Sequence, residues 1–202
     1  MSQRPKKAQL SKAADRAEGD IGEVCWDPTH NPNYITLSEE GTVAQFVIKE
    51  KPKDGKTSYP PCFLPVRSNL RLHSGNYKIE FDIERTTTSE QIGAGAMLMW
   101  NIGEDWGFFG YLGASSSAWS YDPSTGDVVT KTESIDGGLA TFDGPNGKII
   151  MELTLPRNEE GSMVFEVNGK RSKAVKLPAG SVVMPAGCFL KQGQKLKITL
   201  IK

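Results

Sequence analysis

The chain has 202 residues, and its 24 Lys and Arg residues balance its 24 Asp and Glu residues, so the formal net charge is zero. This balance argues against binding nucleic acid through a basic field, and no apolar run reaches the roughly 18 residues of a membrane helix. The length fits one large domain, and 21 glycines with 12 prolines indicate many turns.

Residues 1–22 differ in composition from the rest of the chain. Polar and charged residues and alanine dominate, and after Met1 the large aliphatic residues there are Leu10 and Ile21. Such a segment buries too little apolar surface to offset its ordering entropy. We therefore predict a flexible basic and polar tail over 1–22 and one domain over 23–202. A short amphipathic helix and a basic targeting signal are the alternatives for the tail.

The cysteines and the start of the chain predict the cellular compartment. Cys25, Cys62 and Cys188 are odd in number and widely scattered, without CxxC or HxxxH spacing. This pattern argues against both a disulfide framework and a metal site. The basic residues near the start precede no apolar stretch, and no Asn-x-Ser/Thr acceptor occurs, which argues against secretion. We predict an intracellular protein, cytoplasmic or nuclear, without metal or cofactor.

The body of the chain has the pattern of short strands. Residues 34–37 and 42–48 flank a Gly-containing turn, which predicts a hairpin. Residues 77–84 alternate apolar and polar side chains, which predicts a strand with one face in the core. The apolar run 94–100 predicts a strand buried on both faces. Further strands are predicted over 107–112, 118–121, 128–131, 149–155, 163–167, 173–177, 187–190 and 195–201. The fold class is therefore all-β, an antiparallel β-sandwich.

The patterns of catalytic sites are weak in this sequence. His30 and His73 both lie beside turn residues, and neither a GxSxG elbow nor a P-loop is present. Gly93 and Gly95 lack the third glycine and the helix of a dinucleotide site, so we interpret them as allowing close packing between sheets. No catalytic residue is predicted.

Carboxylates on one strand leave a glycosidase as an alternative. Glu80, Asp82 and Glu84 share one face of the strand over 77–84. Paired carboxylates across a sugar are typical of glycoside hydrolysis, but that chemistry needs an acidic cleft. A solvent-exposed strand face explains the same pattern. The turn over 143–147 has too few oxygen ligands for a calcium loop.

Aromatic residues and one long segment are candidates for binding. Trp100 and Trp119 lie in strand patterns, which predicts core positions. Trp106 follows a turn-like stretch and precedes two phenylalanines, so it is either an interface anchor or a plug beneath a loop. The prolines and charges of 49–61 exclude a central strand, and loops of this length are often functional.

Several stretches resemble SPRY domains, in the order that this family has them. They are 26–28 (WDP), 31–34 (NPNY), 37–43 (LSEEGTV), 74–81 (SGNYKIEF), 107–113 (GFFGYLG), 118–122 (AWSYD) and 161–169 (GSMVFEVNG). Where the family has a GD-x-(I/V)-G segment, this chain has 143–147 (DGPNG) instead. The resemblance implies a concanavalin-like, jelly-roll sandwich whose loops at one rim hold a peptide or protein surface.

Carried over by position, that rim implies a set of binding residues. They are Lys49, Lys51, Pro52, Tyr59, Trp106, Phe108, Lys191 and Gln192. The resemblance thus implies a non-catalytic protein-interaction module, as a subunit or adaptor of a larger assembly, with a protein or peptide as its partner and neither membrane nor nucleic acid. A carbohydrate-binding, lectin-like domain is the alternative from another class.

Overall fold

The computed structural model describes residues 23–30, 34–48, 64–98, 117–130, 133–137 and 139–201. The predicted tail lies outside these ranges, so the division at residue 22 stays a prediction. The described strands are β1 (Ile35–Ser38), β2 (Val43–Phe46), β3 (Leu64–Arg67), β4 (Gly75–Glu84), β5 (Ile92–Leu98), β6 (Ala118–Asp122), β7 (Asp127–Thr130), β8 (Glu133–Asp136), β9 (Asn146–Leu155), β10 (Gly161–Val167), β11 (Lys170–Arg171), β12 (Val175–Leu177), β13 (Val183–Phe189) and β14 (Lys195–Ile201). Two 3-10 turns lie at Pro28–His30 and Glu39–Gly41. The described residues contain no helix long and apolar enough to cross a membrane.

The strands form two antiparallel sheets that make a sandwich. Sheet I has the order β1-β2-β14-β4-β9-β10-β11, with β12 also paired to β10. Sheet II has the order β3-β13-β5-β6-β7-β8. Buried apolar side chains from both sheets fill one core, where the Tyr121 ring of sheet II lies 6.4 Å from the Phe165 ring of sheet I. The predicted all-β antiparallel sandwich is confirmed.

Strand β4 has the alternation that its sequence predicts. The side chains of Ile79, Phe81 and Ile83 are at most 1% exposed, while Glu80 and Asp82 between them face outward. The strand pairs with β14 on one side and β9 on the other, so it lies in the middle of sheet I. Alternation is therefore clearest where one face meets the core and the other meets water.

The middle of sheet II is buried on both faces. Every residue of β5, β6 and β13 is buried, which confirms the prediction for the apolar run as far as Leu98. Trp100 lies outside the described residues, whereas Trp119 is 6% exposed and belongs to the core. Alternation is lost in these strands because neither face meets water.

Strands β3 and β8 are not predicted by the sequence patterns. They are the two edge strands of sheet II, and both are four residues long. Pro65 lies in β3, where an edge position tolerates a residue that has no N–H. Strand β8 is largely polar and pairs with β7 through an irregular register between Val128 and Val129. Short edge strands with proline, charge or a bulge avoid unwanted pairing but have weak strand patterns.

Gly93 and Gly95 allow a different close approach from the one predicted. A Cβ atom at Gly95 would lie 2.1 Å from the carbonyl oxygen of Trp119 on neighbouring β6. At Gly93 it would lie 2.6 Å from the Sγ of Cys188 on neighbouring β13. The close approach that requires glycine is therefore between adjacent strands of sheet II rather than between the two sheets.

A segment before β1 joins the two sheets. Trp26 is fully buried, and its Nε1 donates to the carbonyl oxygen of Leu196 in sheet I at 3.0 Å. Its backbone N–H donates to the carbonyl oxygen of Gly41 at 2.8 Å, while that of Asp27 donates to Arg67 in sheet II at 2.8 Å. The segment therefore closes one side of the sandwich.

Candidate functional site

The candidate site is the end of the sandwich that we call the Lys191 end. It is formed by the loop 85–91 after β4 and the turn 190–194 after β13. The two meet because Phe189, the last residue of β13, pairs with Ile92, the first residue of β5. Lys191 is exposed in this turn. The turn and the loop therefore form one continuous edge.

Gln194 holds the turn against the loop. Its side chain is fully buried, and its Oε1 accepts hydrogen bonds from the N–H groups of Leu190 at 2.8 Å and Lys191 at 3.0 Å. Its Nε2 donates to the carbonyl oxygen of Gln91 at 2.8 Å. Gly193 has a φ of 92°, a conformation that favours glycine. A buried amide therefore determines the backbone beside Lys191.

Glu90 organises the loop from inside. It is 4% exposed, and its carboxylate accepts hydrogen bonds from the hydroxyl and the N–H of Thr86 and lies 3.7 Å from the Nζ of Lys191. Burial by itself would raise the pKa of Glu90. Hydrogen bonds from Thr86 and Thr87 and the charge of Lys191 outweigh that effect and hold the pKa below its ordinary value. The carboxylate therefore stays ionised inside the protein.

Arg85 joins this loop to the segment before β9. It is 5% exposed, and its guanidinium lies 5.4 Å from the centre of the Phe142 ring. Its three side-chain nitrogens donate to four backbone carbonyl groups. The acceptors are the oxygens of Thr88 at 2.6 Å, Glu90 at 3.3 Å, Gly144 at 2.9 Å and Pro145 at 3.2 Å. One buried side chain thus fixes two loops whose residues are about 60 positions apart.

Asp122 is a further buried carboxylate near this end. It is 4% exposed, and its Oδ1 accepts hydrogen bonds from the N–H of Ser124 at 2.8 Å and from its hydroxyl at 2.6 Å. Burial raises the pKa of Asp122, and the hydrogen bonds from Ser124 and the charge of Arg85 oppose that rise. The adjacent Tyr121 donates its hydroxyl to the carbonyl oxygen of Ala140.

Two of the predicted binding residues lie in the described part of this end. Lys191 and Gln192 are both exposed. Lys49, Lys51, Pro52 and Tyr59 lie outside the described residues, within the segment between Ile48 and Leu64. The described residues on both sides of that segment are at the Lys191 end. Phe46 donates its N–H to Gln194 at 3.0 Å, and Leu64 pairs with Phe189.

Trp106 and Phe108 also lie outside the described residues, and their segment is attached elsewhere. It follows Leu98 and precedes Ser117, whose carbonyl oxygen accepts a hydrogen bond from the N–H of Leu98 at 2.8 Å. Leu98 ends the seven-residue strand β5, about 20 Å from the Lys191 end. A single rim that contains all eight predicted residues therefore stays a prediction.

The residues that shape this end are absent from the predicted set. Arg85, Glu90 and Gln194 lie in polar turn sequences, where exposure is the ordinary expectation. Arg85 and Glu90 flank four consecutive hydroxyl residues, but this spacing does not indicate which carbonyl groups a buried guanidinium contacts. No pattern in the sequence would have identified them.

His73 and the carboxylates of Glu80 and Asp82, which the sequence singles out, have ordinary structural contacts. His73 lies 3.3 Å from the hydroxyl of Ser74 through its Nδ1. Lys148 forms ion pairs with Glu80 at 2.7 Å and Asp82 at 3.5 Å. Within the described ranges, no group of three or more His, Cys, Asp or Glu residues is placed to hold a metal.

A concave region lies on the outer face of sheet I. It is a hollow of about 570 Å³ across β1, β2, β14, β4 and β9. Its lining is mainly polar. The lining residues are Ser38, Glu39, Val43, Gln45, Asp82, Ile83, Glu84, Asn146, Gly147, Lys195 and Lys197.

Comparison with known proteins identifies the fold. No family model and no curated protein matches the chain. The SPRY domain of human HERC1 matches with a TM-score of 0.63 and 16% identity, over 88% of this chain and 98% of that one. A human SPRY domain matches with a TM-score of 0.61 and 13% identity, over 82% and 94% of the two chains. The PSpry domain of TRIM65 matches with a TM-score of 0.61 and 14% identity, over 90% of each chain. The chain has the SPRY fold.

Several of the stretches that resemble SPRY domains lie in the described ranges, where their structural roles are defined, whereas 107–113 and most of 31–34 lie outside them. Trp26 is a core residue at the junction of the sheets. In the last stretch, Asn168 and Gly169 have φ angles of 50° and 76° and connect β10 to β11. Two positive φ angles are those of the two-residue turn that matches strand twist. The divergent segment 143–147 enters β9 at the carbonyl groups that Arg85 binds.

Proposed function

We propose that this SPRY-fold chain is a non-catalytic protein-interaction module that binds a peptide or protein surface at the Lys191 end. The observation that carries the proposal is how this end is held. Arg85, Glu90 and Gln194 are buried and bind loop backbone, while Lys191 and Gln192 remain exposed. Loops that are already ordered lose little entropy on binding, so they suit recognition. The resemblance to a family that holds ligands in rim loops supports the same function.

The predicted residues outside the described ranges extend this proposal. Lys49, Lys51, Pro52 and Tyr59 supply basic and aromatic groups on a segment attached at the Lys191 end, and aromatic anchors often contribute much of the binding energy. Trp106 and Phe108 form a second group that either reaches the same ligand or serves the core. We place the protein inside the cell, cytoplasmic or nuclear, as a subunit or adaptor of a larger assembly.

An affinity capture from cell lysate, followed by titration of the captured protein, tests this function. The first variant carries Lys51→Glu and Lys191→Glu, and the second carries Trp106→Ala and Phe108→Ala. We expect the first variant to lose the partner that the wild type retains, with at least a tenfold weaker Kd in titration, because both charges are reversed at the binding surface. Loss of the same partner by the second variant would indicate that Trp106 and Phe108 belong to the same binding site.

Lys176→Glu is the matched control. Its side chain is 81% exposed on β12, so the charge reversal is the same but lies away from the Lys191 end. Circular dichroism spectra establish that each variant is folded. Equal titration curves for the first variant and the wild type would contradict the assignment to the Lys191 end, and capture of glycans rather than proteins would contradict the protein-binding function.

A further inference from the structure

The hollow on sheet I is built from two parallel rows of outward-facing side chains. In the first row, Gln45 pairs with Lys195, Lys195 with Glu84, and Glu84 with Asn146. The row therefore crosses four neighbouring strands and spans about 14 Å at ordinary strand spacing. A second row runs beside it, two residues further along each strand. Its members are Ser38, Val43, Lys197 and Asp82.

Hydrogen-bond donors and acceptors are interleaved along these rows. Lys195 has only donors, Glu84 has only acceptors, and the amides of Gln45 and Asn146 have both. In the second row, the hydroxyl of Ser38 has both, and the ammonium of Lys197 faces the carboxylate of Asp82 across the sheet. A ligand along the first row would thus meet a donor, an acceptor or both at each step. A hydroxyl group, which both donates and accepts, matches this arrangement.

Most charged groups of the hollow lie in direct ion pairs. Lys195 lies 2.7 Å from Glu84, and Lys197 lies 2.7 Å from Glu39. The third lining carboxylate, Asp82, is 3.5 Å from the Nζ of Lys148. The lining itself carries three carboxylates and two ammonium groups, and Lys148 is shared between Asp82 and the nearer Glu80. The hollow therefore has a net charge of about −1, which is small and disfavours an anionic ligand.

We propose that this hollow binds a neutral, polyhydroxylated ligand, namely a short oligosaccharide. Its volume of about 570 Å³ lies within the usual range of small-molecule sites, and its length of about 14 Å accommodates two or three sugar rings. The site lies on a face of sheet I and does not depend on protein binding at the Lys191 end.

The lining also determines the strength of binding. The apolar lining residues, Val43 and Ile83, are both buried, and no aromatic ring is among the lining residues. Aromatic rings supply much of the apolar contact in ligand sites, so affinity here comes from hydrogen bonds that replace those to water. We expect dissociation constants on the order of millimolar.

The test is an NMR titration of the full chain with neutral trisaccharides of glucose, mannose, galactose and N-acetylglucosamine. The side-chain amide signals of Gln45 and Asn146 are the readout, because both groups line the hollow and their NH₂ resonances are separate from the backbone signals. We expect saturable shifts of both signals with at least one trisaccharide, and no matching shift at Gln192, whose amide lies at the Lys191 end.

A paired variant and its control make the test specific. Lys195→Ala with Glu84→Ala removes an exposed ion pair from the first row, and Asp82→Asn changes one acceptor in the second row and serves if the first variant fails to fold. Lys176→Ala with Glu160→Ala removes a similar exposed ion pair, at 3.0 Å, away from the hollow.

We expect the hollow variants to weaken the titration at least fivefold and the control to leave it unchanged. Absence of saturable shifts with every trisaccharide would overturn the proposal. Equal titration curves for the hollow variants and the control variant would also overturn it. The same conclusion would follow if a peptide shifted the Gln45 and Asn146 signals and none of the sugars did.

Discussion

Charged groups at the Lys191 end and on the outer face of sheet I are used in opposite ways. Arg85 and Glu90 are 5% and 4% exposed and bind mainly backbone groups of the loops. On sheet I, the side chains of Lys148 and Glu84 are 58% and 54% exposed. Lys148 pairs with Glu80, and Glu84 pairs with Lys195. Buried charges must be fully hydrogen-bonded, whereas exposed pairs are weakened by solvent. The same residue types therefore hold loops in one region and cover a surface in the other.

The largest effect is expected from Arg85→Met. Methionine keeps the apolar contact with Phe142 but removes the hydrogen bonds that the guanidinium donates to the carbonyl groups of Thr88, Glu90, Gly144 and Pro145. Hydrogen bonds from a charged group contribute about 1.5–3 kcal/mol each, so their loss should lower the free energy of unfolding by about 3 kcal/mol or more. Urea denaturation followed by tryptophan fluorescence measures the change.

The control for this variant is Lys176→Met, at a side chain that is 81% exposed. It should leave the denaturation midpoint almost unchanged. A loss below about 1 kcal/mol in Arg85→Met would show that water replaces the guanidinium at these carbonyl groups, and the contrast between the two regions would then disappear.

A smaller, pH-dependent effect is expected from Asp122→Asn. Burial raises the folded-state pKa of Asp122 above its ordinary value of 3.8, so the ionised carboxylate costs stability at neutral pH. As the pH falls through the raised pKa towards 3.8, the folded state binds the proton first and the wild type recovers stability. The asparagine variant keeps an acceptor for Ser124 and lacks this dependence.

Urea denaturation of both proteins at a series of pH values measures the difference. We expect the variant to gain stability relative to the wild type at neutral pH, and the difference to shrink on acidification. Glu90 has the opposite effect on stability, because its pKa is held low and acidification therefore costs stability. Its contribution is the same in both proteins and cancels in the difference between them. A difference that does not change with pH would mean that Asp122 is solvated.

The smallest effect is expected from Lys148→Ala on sheet I. Its ammonium pairs with Glu80 and Asp82, but the side chain is 58% exposed. Exposed ion pairs contribute little, so the free energy of unfolding should change by less than about 0.5 kcal/mol. Thermal unfolding in low and moderate salt measures it. A loss as large as that of Arg85→Met would show that the outer face acts as a connected network.

Some strands and site residues of this protein are predictable from the sequence, and others are not. Strand β14 has the predicted bounds, Lys195–Ile201, and β4 has the predicted alternation, because each lies in sheet I with one face on the core. Strands β3 and β8 were missed, because edge strands are short and carry proline or charge. For the site, Lys191 and Gln192 lie in an exposed turn as expected, whereas Arg85 and Gln194 had no pattern to identify them.

Local patterns in the sequence are sufficient to predict the all-β class and the strands with one solvent-exposed face, because side-chain alternation depends on near neighbours in the chain. Contacts between distant parts of the chain determine which strands are adjacent, where glycine is required in sheet II, and which carbonyl groups Arg85 binds. These features join residues far apart in sequence. Burial and hydrogen bonding at such contacts depend on the neighbours that folding brings together, and local patterns carry no record of them.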